Sequence, residues 1–213
     1  TSTMTWNSIS VSGATTMTLL SDLYYEGTLT NGAAGNSTTW NGFTVRHTGV
    51  SGGYTLGTTG VSAGTSIFSM QGTGNITGVS GGETRNDFTV NTAGVYTFVT
   101  AWGYDTGTFT WTAGTSAGSV PLAVLNTTTF TGTQDILWTS ITITGTPIIT
   151  INNSLKCSGL FSYGATTAAY IFTGGNIFSA GGIRFLGTTG TSSGTTVFNA
   201  TGTGTIDAPS ATS

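Results

Sequence analysis

Leu56–Ile76 reads LGTTGVSAGTSIFSMQGTGNI, and Leu186–Ile206 reads LGTTGTSSGTTVFNATGTGTI. Thirteen of these 21 positions are identical without a gap, at an offset of 130. Upstream, Trp6–Gly32 aligns with Trp138–Gly164 at an offset of 132, pairing Trp6 with Trp138, Ile9 with Ile141, Leu23 with Leu155 and Gly27 with Gly159. A two-residue change in a loop reconciles the two offsets. Residues 5–77 therefore recur as 137–207. The chain divides into a first β repeat (1–77), an intervening β segment (78–136) and a second β repeat (137–213), expected to form one continuous β structure. Only folds that tolerate duplication of a large unit remain open to it.

Periodicity decides what the unit is made of. Leu19, Leu23, Tyr25 and Leu29 share odd positions, with Asp22, Tyr24 and Glu26 between them. The second copy repeats this with Ile151, Leu155, Cys157 and Phe161 against Ser154, Lys156 and Ser158. A period of two places alternate side chains on opposite faces of a strand. The same alternation marks SITITG, DFTVNTAGVYTFVT and GTFTWT, and no segment shows a period of 3.6. Glycines punctuate the whole chain at short intervals, as turns require. The expected class is all-β: a Gly/Thr-rich β-solenoid or a tandem β-sandwich built on the duplication. Coils of about 20–25 residues would make the offset about six coils, within the range of solenoid repeats. That spacing places the solenoid ahead.

Charge is scarce, at 5 % of residues with a net charge of −3. An ordinary globular domain carries roughly 25 %. Apolar residues still make up 37 %, enough to offset chain entropy, so the chain folds. Arg46, Arg85, Lys156 and Arg184 are too few and too scattered to neutralise a nucleic-acid backbone. No apolar run is long enough to span a membrane. Cys157 is the single cysteine, so no intrachain disulfide forms. The sequence opens on Thr1 rather than Met, which fits a removed leader or a piece of a longer chain. A surface of hydroxyls points to an extracellular, cell-surface or virion setting.

Candidate chemistry is thin. Gly60–Gly64 fits the G-x-S-x-G elbow of serine hydrolases at Ser62, yet the pattern returns at Ser116 and Ser192, with GVSGG at Ser51 and Ser80. Five copies read as glycine-serine turns, and a triad would have to use the one histidine, His47. His47 itself reads as a surface or loop residue. Asp22 and Glu26 share the outer side of what reads as one strand, but Ser154 and Ser158 replace them in the second copy. Glu83 and Asp87 read as local partners of Arg85. No calcium or other metal pattern is present, and no catalytic, cofactor or metal residue is assigned. Cys157 reads as a small buried hydrophobe.

Three binding features remain. N-x-S/T sequons at Asn36, Asn75, Asn126, Asn152 and Asn199 permit glycosylation. Trp40, Trp102, Tyr104 and Trp111 could form a sugar-stacking platform, whereas Trp6 and Trp138, as repeat partners, read as core. T-x-T runs could build a flat threonine ladder that binds ice, although the spacing shows no single coil period along the sequence. The reading that accounts for most of these features is a non-enzymatic fibre or filament subunit. It would be a homo-oligomer or polymer held by strand pairing between chains, with Thr5, Trp6, Ile9 and Val11 as the inter-subunit strand. The alternative is a binding module for carbohydrate or ice.

Overall fold

The computed structural model describes residues 4–31, 37–57, 61–78, 83–91, 94–111, 115–117, 120–132, 136–144, 148–164, 170–185 and 192–207. These residues form thirty short strands and no helix. The strands line three faces of a prism, and the chain visits the faces in strict rotation. The first face is one sheet of 10 strands, beginning with Thr5–Trp6, Leu23–Tyr25, Val45–His47 and Phe68–Met70 and ending with Ser192–Gly194. The third face is a second sheet of 10, from Thr15–Thr18 to Ile206–Asp207. The second face is built in two parts, a 6-stranded sheet from Ile9–Val11 to Thr115–Ala117 and a 4-stranded sheet from Leu137–Trp138 to Val197–Ala200. The molecule is a β-solenoid, and the tandem sandwich is set aside.

Each strand pairs in parallel with its counterpart one coil later. Leu23 sits beneath Val45, Val45 beneath Phe68, Phe68 beneath Phe88, and so on through Phe109, Phe130 and Ile151. The separation of such partners is the length of a coil, and it matches the spacing expected from the sequence. Alternation sends every second side chain of a strand inward, and stacking makes these side chains into continuous interior files. Phe88 lies stacked on Phe109 at 6.0 Å between ring centres, and Phe109 meets Phe130 edge-on at 6.2 Å. On the third face the interior file runs Trp102, Leu122, Ile141, Phe161, Ile183. Aromatic pairs at such distances add about 0.5–1.5 kcal/mol each beyond their burial. Parallel sheets covered on one side by such files need no helix to complete the core.

The duplication has a geometry that the sequence conceals. Trp6 lies in the first strand of the chain, on the first face, and its partner Trp138 lies in the twentieth, on the second. Ile9–Val11 on the second face matches Ile141–Ile143 on the third, and Thr15–Thr18 on the third matches Ile148–Ile151 on the first. The downstream match obeys the same rule, since Phe68–Met70 on the first face corresponds to Val197–Ala200 on the second. Every partner strand lies nineteen strands later, which is six coils and one face. The repeat thus relates by a climb combined with a third of a turn, and not by the simple six-coil climb expected. Corner geometry follows the repeat: Gly64 and Gly194, partners at the 130 offset, both adopt positive φ (111° and 128°). A Cβ at either would fall 2.1 Å or less from a carbonyl of the coil beneath, Trp40 or Phe172.

Close coil contact is the reason for the glycines at other corners too. A Cβ on Gly72 would stand 1.9 Å from the carbonyl oxygen of Gly49, whereas nothing lies within 4 Å of one on Gly13. Gly72→Ala should therefore cost about 1–3 kcal/mol, the usual range for forced overpacking, and lower the melting temperature by circular dichroism. Gly13→Ala should melt with the parent chain.

Candidate functional site

Ser62 is not in a turn. It lies on the strand Val61–Ala63 of the third face, fully buried, and its hydroxyl donates to Asn86 Oδ1 at 2.7 Å. Asn86 is itself buried, and its amide reaches the carbonyls of Gly64 and Ser66. Ser116 and Ser192 also fall on strands, and Ser51 alone of the described group lies in a bend; Ser80 is outside the described residues. The repeated G-x-S-x-G pattern thus marks strands beside glycine corners. A buried hydroxyl bonded to an asparagine has no base and no substrate access.

His47 departs most from expectation. It occupies the inward side of Val45–His47 and is fully buried between Tyr25 and Met70 in the interior file. Nδ1 lies 2.5 Å from the Tyr96 hydroxyl, and Nε2 lies 3.1 Å from both the Glu26 and Ser51 carbonyl oxygens. Two carbonyls at Nε2 require a proton there, so Nδ1 accepts from Tyr96, whose oxygen accepts in turn from the Gly72 amide at 3.0 Å. The imidazole is held neutral in one tautomer. Burial lowers its pKa, outweighing the three backbone carbonyls of Glu26, Ser51 and Gly27 that favour the cation. Sequence parity, with Val45 and His47 in step, could have placed it inside. The Ser62 hydroxyl is engaged by Asn86 and both His47 ring nitrogens are engaged by Tyr96 and the two carbonyls, so the two side chains do not form a serine–histidine pair.

The carboxylates are structural. Glu26 follows Leu23–Tyr25 at a corner before Thr28–Asn31, so Asp22 and Glu26 do not share a strand. Asp22 instead meets Arg46 of the next coil at 2.8 Å and accepts from the Thr44 amide at 3.0 Å. Burial opposes its ionisation, but Arg46 and the Thr44 amide prevail and hold the carboxyl below its usual range. Arg85 pairs with Asp105 one coil on, while Asp87 Oδ1 accepts from the Thr108 amide at 2.7 Å. Arg184 and Asp207, again one coil apart, stand at 3.4 Å. Lys156 lies 5.4 Å from the ring centre of Phe178, its register neighbour on the second face. Among the described residues, no group of three His, Cys, Asp or Glu side chains could hold a metal.

The proposed sugar platform is dissolved by burial. Trp40, Trp102, Tyr104 and Trp111 are all interior, because each sits on the inward parity of its strand. Trp138 is likewise core, but its repeat partner Trp6 is 46 % exposed, since its strand is the outermost described one of its face and pairs with Leu23–Tyr25 alone. Cys157 is buried with its thiol directed to the Gly159 carbonyl, and burial pushes its pKa up despite the Ser179 hydroxyl. Asn75, Asn126 and Asn152 are exposed and Asn199 is half-buried; Asn36 is outside the described residues. A small pocket lined by Phe109, Trp111, Phe130, Ile136, Trp138 and Leu155 opens where the second part of the second face begins, and its described wall is apolar and uncharged apart from the neutral polar residues Thr131, Asn153 and Ser154.

Two surfaces remain that could act. One is the end of the prism. Among the described residues, Thr5–Trp6, Ile9–Val11 and Thr15–Thr18 each pair on one side only, so Thr5, Trp6, Ile9 and Val11 lie on parallel edges that no other described strand covers. The other is the outward side of the first face, where threonines fall into register. Thr89, Thr110 and Thr131 form one file, and Thr108, Thr129, Thr150 and Thr173 form another. The steps from Thr89 to Thr110, Thr110 to Thr131 and Thr129 to Thr150 are equal, so the T-x-T spacing does recur at a coil period over these coils. Comparison with protein-family models, curated protein sequences and solved structures finds no significant match.

His47 sets a pH dependence. Its folded pKa lies below the unfolded value near 6.5, so the unfolded chain takes up the proton first as pH falls. The stability this confers is complete above that value and is lost as pH drops through and below it. Melting temperatures from pH 8 to pH 5 should fall in the parent chain. His47→Leu should be less stable throughout, by about 1–3 kcal/mol for the orphaned Tyr96 and carbonyls, and its melting temperature should change less across that window.

Proposed function

We propose that this chain is a non-enzymatic structural protein, a subunit of an extracellular, cell-surface or virion-associated fibre or filament. It assembles as a homopolymer through β-strand pairing between coils of neighbouring chains. The open edge of the first coil carries this reading. Three strands there present backbone donors and acceptors that no described strand pairs, in parallel-sheet geometry, the arrangement that recruits further strands.

The edge lacks the devices that blunt such edges. Thr5–Trp6, Ile9–Val11 and Thr15–Thr18 contain no proline and no charged residue. Apolar side chains accompany them in the first coil, with Met4 68 %, Trp6 46 % and Leu20 88 % exposed. At the far end Val197 and Ile206 are also exposed, in the last strands of their sheets. A second copy stacked end to end would continue all three faces at once, burying the apolar side chains of both ends. A net charge of −3 opposes this only weakly. An uncharged hydroxyl surface suits material exposed outside the cell, and exposed sequons at Asn75, Asn126 and Asn152 would accommodate glycans there. Each arginine with a described ion pair joins neighbouring coils, so the charge that exists serves the rod.

Negative-stain microscopy and sedimentation of the full chain test this. The parent should form filaments or end-to-end oligomers, and Trp6→Lys with Thr16→Lys should leave monomers of unchanged circular dichroism. Monomers in both samples would overturn the proposal, as would assembly untouched by the paired lysines.

A further inference from the structure

We infer that the threonine array of the first face is an ice-binding surface, a further activity that does not depend on how the ends of the rod pair. The array is two-dimensional. Thr108 and Thr110 flank inward Phe109, and Thr129 and Thr131 flank inward Phe130 directly above. Thr89 extends one file downward, and Thr150 and Thr173 extend the other upward, so the array covers five successive strands. Neighbouring strands stand about 4.8 Å apart and alternate residues about 6.6 Å apart along a strand. The result is a near-rectangular lattice of paired methyls and hydroxyls, with repeats approaching those of oxygens on the prism faces of hexagonal ice.

Three observations favour ice over a soluble partner. The strands that carry the array, Phe88–Val90, Gly107–Trp111, Thr128–Gly132, Ile148–Ile151 and Tyr170–Thr173, contain no charged residue, and Asp87, at the lower margin beneath Thr108, has its Oδ1 engaged by the Thr108 amide. Charges would organise water around themselves and break the lattice order. Second, the side is held rigid from beneath, because Phe88, Phe109 and Phe130 stack in register under it and are almost completely buried. Such preorganisation removes the ordering cost that a flexible surface would incur on binding a crystal. Third, the coils from Phe88 to Thr150 keep one constant length, whereas the step from Phe68 to Phe88 is shorter and that from Thr150 to Thr173 is longer. Regular spacing is confined to the coils that carry the threonine pairs. The methyl of each threonine restricts the water beside it while the hydroxyl anchors it, so both groups take part.

The test is uptake of the full chain into ice grown slowly from solution, alongside inhibition of ice recrystallisation, with an inert protein as reference. The parent chain should enrich in the ice and arrest recrystallisation. Thr110→Lys and Thr129→Lys should each return it to the reference distribution, while Thr30→Lys on the second face should leave uptake unchanged. Circular dichroism melts check that the variants fold. If a lysine variant does not, the Thr110→Ser/Thr129→Ser pair, which keeps the hydroxyls and removes two methyls, should still lower uptake. Exclusion of the parent from ice overturns the inference. So does equal loss in Thr30→Lys, or full uptake by the serine pair. Sedimentation of the same samples reads end-to-end assembly separately.

Discussion

The structure depends on one constraint: each residue sits on its counterpart one coil away, held by parallel backbone hydrogen bonds. This register turns a string of two- to five-residue strands into continuous sheets. No strand here could stand alone, since short isolated strands are marginal in water. Stacked, each inward position becomes part of a file, so the interior is chosen file by file. Glycines such as Gly64, Gly72 and Gly194 stand at corners where coils close to carbonyl contact. Charge is bound to the same register, because Arg46, Arg85 and Arg184 each find an aspartate one coil away.

The same constraint separates the interior from the faces. Inside, the polar groups that look like chemistry are paired, as in the bonds of His47 with Tyr96 and of Ser62 with Asn86, while the Thr38 and Ser66 hydroxyls and the Trp102 indole N–H find no hydrogen-bond partner among the described residues. The paired groups resemble chemistry in the sequence and are structure in the fold. Outside, the faces differ although all are strands. The first carries the threonine files, while the outward side of the third passes through Gly103, Ala123, Thr142 and Ser162. One prism can therefore present unrelated surfaces around its axis and open edges at its ends. Assembly through the ends and recognition through a face do not compete for the same residues.

The rotated duplication shows why equivalent sequence need not mean equivalent surface. A shift of nineteen strands is accepted because the three faces use strands of similar length and corners of similar kind. A segment moved around by one face still meets matching registers above and below. Its outward residues then point elsewhere. Trp6 and Trp138 share a sequence context, yet one is on an open edge and the other is core.

Local composition and parity were enough to establish the all-β class, the coil length and most of the core, because alternation alone decides which side of a strand a residue takes. They made Tyr25, Leu29, Ile151, Leu155 and Cys157 legible as interior. They also contained His47, Trp40 and Trp102, whose parity is inward, though their chemistry suggested surface roles. Three things were decided only by tertiary structure. Corners at positions such as Glu26–Gly27 split an apparent single strand between two faces, and no local signal says where a coil must turn. Register between coils brought Thr108 over Asp87 and lined Thr110 with Thr131, because contacts a full coil apart depend on every intervening corner length. And the sense of the duplication, six coils and one face, arose from counting strands around an axis that the linear sequence does not contain.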